Sequence, residues 1–216
     1  MLVFDPKYTE VVFFDTECYV PPEDRVKGPS SMIVNPANPK HILLGGVFVR
    51  EFPLRKRSDD FEQIWSWTKE DEKNTLKRIY DCFQKSWKLI EGKSKEHPDL
   101  IVTDTGVSRF DISMLFVKSL MNQIDSPEKL YETFFKTKMV DLGDVGIGLF
   151  PLTSNFPVIY PKTTNAITTR LRIPVRKTSG KSVWDMYDAG EFEGIKERTL
   201  EEVKTARSIA ARIVHF

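Results

Sequence analysis

Residues 11–19, VVFFDTECY, decide how the rest of the chain is read. Val11 to Phe14 is a continuous apolar run, β-branched then aromatic, of the kind expected in a strand buried on both faces. The run stops at Asp15, where the strand is expected to end, and Glu17 follows two residues later. Side chains two apart on an extended chain point the same way, so Asp15 and Glu17 project from one face. Carboxylates held side by side raise each other's pKa, and a cation between them removes that penalty. Taken alone, D-x-E after apolar residues reads equally as an acidic, solvated strand end.

Working outward, residues 20–40 are rich in Pro, Ser and Asn and read as a long loop or insertion. His41 to Phe52 reads as a second strand, with Gly45-Gly46 marking a bulge or a close backbone approach. Phe61 to Trp67 reads as a third. Thr68 is the expected N-cap of a helix with Glu70, Asp71 and Glu72 in its first turn, followed by Leu76, Ile79, Tyr80, Phe83, Trp87 and Ile90 at helical spacing. Leu100 to Thr103 is a fourth short strand, Asp111 to Met121 a second helix, and Ser126-Pro127 the start of a third. Residues 155–164 read as loop, Ala166 to Leu171 as a short helix, and Ser182 to Tyr187 and Phe192 to Ile213 as closing helices. Strands first, then alternation, then helices gives an α/β or α+β fold with a mixed sheet. The length of 216 residues suits a single domain over 1–216 with loop insertions near 20–40 and 150–165.

Composition narrows the chemistry. No apolar run approaches the roughly 18 residues of a membrane span, and MLVFDPKYTE has no basic region followed by an apolar core, so a cytoplasmic protein without membrane contact is expected. Cys18 and Cys82 make neither a disulfide framework nor a zinc site, and His41, His97 and His215 are scattered. Any metal is therefore expected to be hard and oxygen-bound, Mg²⁺ or Mn²⁺. Net charge is only +1, but Lys162, Arg170, Arg172, Arg176, Lys177 and Lys181 form a run with no acidic residue among them. Such a flank reads either as a solvated surface or as a seat for a polyanion.

Two further stretches complete the pattern. DLIVTDTGVSRFDISMLF (residues 99–116) runs from a strand into a helix that opens at Asp111, a position that also suits a simple helix cap. VWDMYDAGEFEGIKERTLEEV (residues 183–203) carries Glu202, with Arg198 one turn earlier on the same face, an arrangement that also suits an ordinary surface ion pair. In this order and at these separations, FDTE, SRFDISML and VWDMYDAGEFEGI…LEEV resemble the DEDD exonuclease superfamily, and within it proteins similar to the proofreading domains of family B DNA polymerases. The resemblance covers most of the chain. It implies a ribonuclease H-like fold, a mixed five-stranded sheet flanked by helices. It also implies Asp15, Glu17, Asp111 and Glu202 as catalytic ligands of two Mg²⁺ or Mn²⁺ ions, and 3′→5′ hydrolysis of single-stranded DNA or RNA ends. The backbone around Thr16 and Cys18 would face the terminal nucleotide, Phe110 would pack beneath the site, and Arg198 would hold a substrate phosphate.

The chain departs from that pattern in its last motif. The resemblance aligns Glu202 with an aspartate and Arg198 with a tyrosine that positions water, while Glu197 stands where related sequences carry histidine. Arginine stays protonated in proteins and cannot act as a base. Gly106 stands where the resemblance would place an asparagine. The alternative expectation is a catalytically weak or silent relative that binds nucleic acid or a protein.

Overall fold

The computed structural model describes residues 7–25, 34–53, 59–68, 71–91, 99–151, 160–175 and 183–213. Five strands form one mixed sheet in the order β3-β2-β1-β4-β5, with β1 (Thr9–Tyr19) at its centre. β2 (Ile42–Glu51) is antiparallel to β1, and β3 (Glu62–Trp65) is antiparallel to β2 on that side. β4 (Asp99–Asp104) runs parallel to β1, and β5 (Lys138–Asp141) parallel to β4. Flanked by helices, this is the expected ribonuclease H-like arrangement. Among the described residues no helix is long and apolar enough to cross a membrane.

The apolar run of β1 is continuous because both faces of the sheet are covered. Val12 and Phe14 enter a core with α1 (Glu72–Glu91), α2 (Asp111–Met121) and α3 (Pro127–Phe135). There Phe14 stacks on Phe48 at 5.5 Å and meets Phe83 edge-on at 5.6 Å, geometries that aromatic quadrupoles favour. Val11 and Phe13 enter the opposite core, with α5 (Thr164–Leu171), α6 (Val183–Asp188) and α7 (Phe192–Ile213). α4 (Leu142–Val145) adds Leu142 to that second layer. On α7, Ile195, Thr199, Val203, Ala206 and Ile209 are buried, the one-sided stripe that a helix laid on a sheet presents.

Three sequence expectations are corrected. β1 does not end at Asp15 but continues to Tyr19, because its antiparallel pairing with β2 extends to Tyr19↔Ile42. Its parallel pairing with β4 stops at Phe13↔Thr103. From Asp15 onward β1 therefore has a strand partner on one side only. Thr68 is not the cap of α1: its hydroxyl donates to the Trp65 carbonyl, and the Asp71 side chain accepts from the Asn74 N–H at 2.8 Å just before the helix begins at Glu72. Asp71 wins because a cap must sit next to the first helical residue. Finally, β5 has no counterpart in the residue pattern; its four residues KMVD satisfy the free edge of β4 without any alternation of their own.

The Gly45-Gly46 pair is the close approach the sequence suggests. The register breaks between Glu17 and Cys18, which face Gly45 and Leu43. Gly45 has φ +134°, and a Cβ there would lie 2.0 Å from the Ile64 carbonyl oxygen of β3. Gly45→Ala should destabilise the protein by about 3 kcal/mol or more, from strained backbone and an overpacked strand contact. Urea unfolding followed by circular dichroism checks this, and a loss under about 1 kcal/mol would contradict the account.

Candidate functional site

Alternation along β1 decides what Asp15 and Glu17 face. As odd-numbered neighbours of Val11 and Phe13 they point to the α7 layer, and α7 brings Arg198, Thr199 and Glu202 against them. One carboxylate oxygen from each of Asp15, Glu17 and Glu202 lies within 4.8 Å of the others. Glu17 Oε1 accepts from Arg198 Nη1 at 2.9 Å and from the Thr199 hydroxyl at 3.1 Å. Glu202 Oε1 accepts from Arg198 Nη2 at 2.7 Å. Asp15 Oδ2 is buried and accepts no hydrogen bond from any described residue.

Asp111 reaches the site from the other face. It is 3% exposed at the start of α2, and its Oδ1 accepts the Thr16 hydroxyl at 2.6 Å. Thr16 sits between the two acidic residues of β1 and points oppositely, so a single strand segment holds Asp15 and Glu17 by its backbone and Asp111 by a side chain. The Asp111 charge bears on both Asp15 and Glu17, raising their carboxyls slightly further. It stands outside the compact Asp15–Glu17–Glu202 group.

Sequence reasoning missed Asp104 and Asp141. Asp104 closes β4, buried, and its charge bears on Asp15. The signal was available: an acidic residue directly after an apolar strand parallel to β1, the same pattern that flagged Asp15. Asp141 ends β5, and both its oxygens are occupied. Oδ1 accepts from the Gly106 and Gly143 N–H groups at 3.0 and 2.9 Å, and Oδ2 from Ser108 Oγ at 2.9 Å and Arg109 Nη2 at 3.4 Å. It pins the turn between Asp104 and Asp111, which Gly106 makes possible with φ +96°. No short-range pattern announces this, because Asp141 and Gly106 are joined only by the β4–β5 pairing.

The remaining site candidates fall into place unevenly. The Cys18 side chain lies in the α1–α3 core, and its carbonyl accepts from Trp184 Nε1 at 2.8 Å. Phe110 is partly buried against that same core, just before α2. Beside the carboxylates, a groove of about 600 Å³ runs between α5 and α7, walled by Thr164, Asn165, Thr169 and Val175 on one side and Arg198 and Glu202 on the other. Of the basic run, Lys162, Arg170 and Arg172 lie on and around α5; Arg176, Lys177 and Lys181 lie outside the described residues. The chain matches no protein-family model and no curated protein.

Burial dominates the electrostatics. It lifts the Asp15 carboxyl well above its usual range, with the charges of Glu202, Glu17, Asp104 and Asp111 adding to the effect. Burial and then Glu202 raise Glu17 to about 8, against the pull of Arg198 and the Thr199 hydroxyl. Burial raises Asp111 to about 6 although the Thr16 hydrogen bond opposes it, and burial with the Asp111 charge lifts Asp104 strongly. A raised acid binds its proton more tightly when folded, so its contribution to stability is complete below the unfolded pKa and is lost as pH rises through the folded one. The metal-free protein should therefore lose stability between pH 5 and 8, through Asp111 near 6 and Glu17 near 8, by on the order of a few kcal/mol. Urea unfolding in EDTA across that range checks it. Glu17→Gln should flatten the upper part of the decline, and a wild-type profile level from pH 5 to 8 would refute the account.

Proposed function

We propose that this chain is a divalent-metal-dependent 3′→5′ exonuclease acting on single-stranded DNA or RNA ends, as its resemblance to DEDD exonucleases implies. The observation that carries the reading is Asp15: one of its carboxylate oxygens lies within 4.8 Å of an oxygen from each of Glu17 and Glu202, and its Oδ2 is buried with no hydrogen-bond partner among the described residues. A buried polar atom without a partner is costly, and a buried group of like charges more so. The donors are all hard oxygens, with no thiol or imidazole in the group, which suits Mg²⁺ or Mn²⁺. Asp15, Glu17 and Glu202 would hold one such ion, and Asp111 and Asp104, whose charges bear on Asp15, would supply carboxylates toward a second.

Ions bound there would stabilise the charge that develops on the scissile phosphate and on its leaving 3′ oxygen. The protein's own residues do the rest. Thr16 fixes Asp111, Asp141 fixes the turn that carries it, and Thr199 orients Glu17. The α5–α7 groove opens beside Glu202 and would give a strand end a route to the carboxylates. Arg198 carries charge but takes no proton, so it holds phosphate rather than replacing the missing tyrosine as a water-positioning group.

A second reading, a silent binding module, draws support from one observation: Arg198 already neutralises Glu17 and Glu202, so part of the cluster is satisfied without metal. End-labelled single-stranded oligonucleotides decide between them. With Mn²⁺ the wild type should shorten a 5′-labelled strand stepwise from its 3′ end. Asp15→Ala should lower the rate about a thousandfold, since several kcal/mol of charge stabilisation are lost at about 1.4 kcal/mol per decade. Oligonucleotide binding without shortening would favour the silent module, and equal shortening by Asp15→Ala would place the chemistry elsewhere.

A further inference from the structure

Arg198 belongs to two environments. Its guanidinium bridges Glu17 Oε1 and Glu202 Oε1 at 2.9 and 2.7 Å, and its side chain also walls the groove between α5 and α7. Among the described residues lining that groove it is the one cation; Glu201, on the same wall, is paired with Lys204 at 2.8 Å. The opposite wall offers Thr164, Asn165 and Thr169, neutral groups able to hydrogen-bond but not to balance a phosphate charge.

We propose that Arg198 is an exchangeable counter-ion. While the carboxylate cluster lacks divalent metal it neutralises Glu17 and Glu202; once metal is bound it turns into the α5–α7 groove and grips a phosphate of the substrate strand. The inference rests on the divalent-cation reading above and adds the residue that couples metal loading to substrate grip.

The chemistry runs in one direction. Arg198 satisfies Glu17 and Glu202 but leaves Asp15 Oδ2 without a partner. An ion of double charge placed among the three carboxylates reaches all of them and repels the guanidinium at short range. The displaced group cannot shed its proton, so it needs another anion. Its planar fork of N–H donors matches two phosphate oxygens, and the nearest space open to a polyanion is the groove it already lines. A strand that binds after metal then meets a positive charge that the metal-free protein keeps engaged.

Two measurements on Arg198→Gln test this. By calorimetry the variant should bind Mn²⁺ about tenfold more tightly than wild type, the factor expected from removing a competing charge worth about 1.4 kcal/mol. By fluorescence anisotropy with a short single-stranded oligonucleotide in saturating Ca²⁺, it should bind the strand about tenfold more weakly, within the range of one charge-assisted phosphate contact. In EDTA wild type and variant should bind the strand alike, because the arginine is then engaged by Glu17 and Glu202. If Arg198→Gln does not fold, Arg198→Lys should shift both readings in the same directions by a smaller factor, because an ammonium lacks the two-pronged grip. Equal Mn²⁺ affinity, or the same loss of strand binding in EDTA as in Ca²⁺, overturns the exchange while leaving the metal site standing. Failure of both wild type and variant to bind Mn²⁺ overturns the metal site and the exchange with it.

Discussion

Desolvated carboxylates crowded between β1, β4, α2 and α7 are the constraint around which the rest of this structure is arranged. Burial and mutual repulsion push Asp15, Glu17, Asp104 and Asp111 the same way, toward holding protons. A fold tolerates such a cluster only where the surrounding packing over-determines it. That packing is present on both faces of the sheet: the Phe14–Phe48–Phe83 aromatics on one side and the Ile195, Val203 and Ile209 stripe of α7 on the other. Even the buried Lys118, 1% exposed, is held by Glu72, whose Oε1 also accepts the Leu43 N–H of β2 at 2.6 Å. α1, α2 and β2 are thereby tied together close to where Asp111 begins its helix.

Backbone pairing makes room for the cluster. β1 is paired with β2 from Val11 to Tyr19 but loses β4 after Phe13. The chain leaving β4 must then turn away, and Asp141 on β5 captures that turn with Gly106, Ser108 and Arg109. Two of the carboxylates stand where β1 has outrun β4 and is paired by β2 alone, one ends the shorter strand and one follows the captured turn. α7 closes the remaining side with Glu202.

Much of this was legible in the residues. The run Val11–Phe14 announced a strand covered on both faces, and strand alternation placed Asp15 and Glu17 together. Helical spacing put Arg198 and Glu202 on one side of α7, where the structure joins them through a single guanidinium. What was illegible has a common cause. The extension of β1 past Asp15, the strand Lys138–Asp141 and the bonds of Asp141 all depend on backbone partners distant in sequence, and leave little mark on local hydrophobic pattern. Thr68 failed for the opposite reason. A plausible cap was read from residue type, whereas Asp71 held the position that geometry requires.

The unequal partnering of β1 reaches beyond the present residues. The point at which β1 outruns β4 is set by where one main-chain ladder stops and another continues. Strand lengths rather than the acids themselves thus fix the address at which side chains of the α7 layer meet the sheet's central strand.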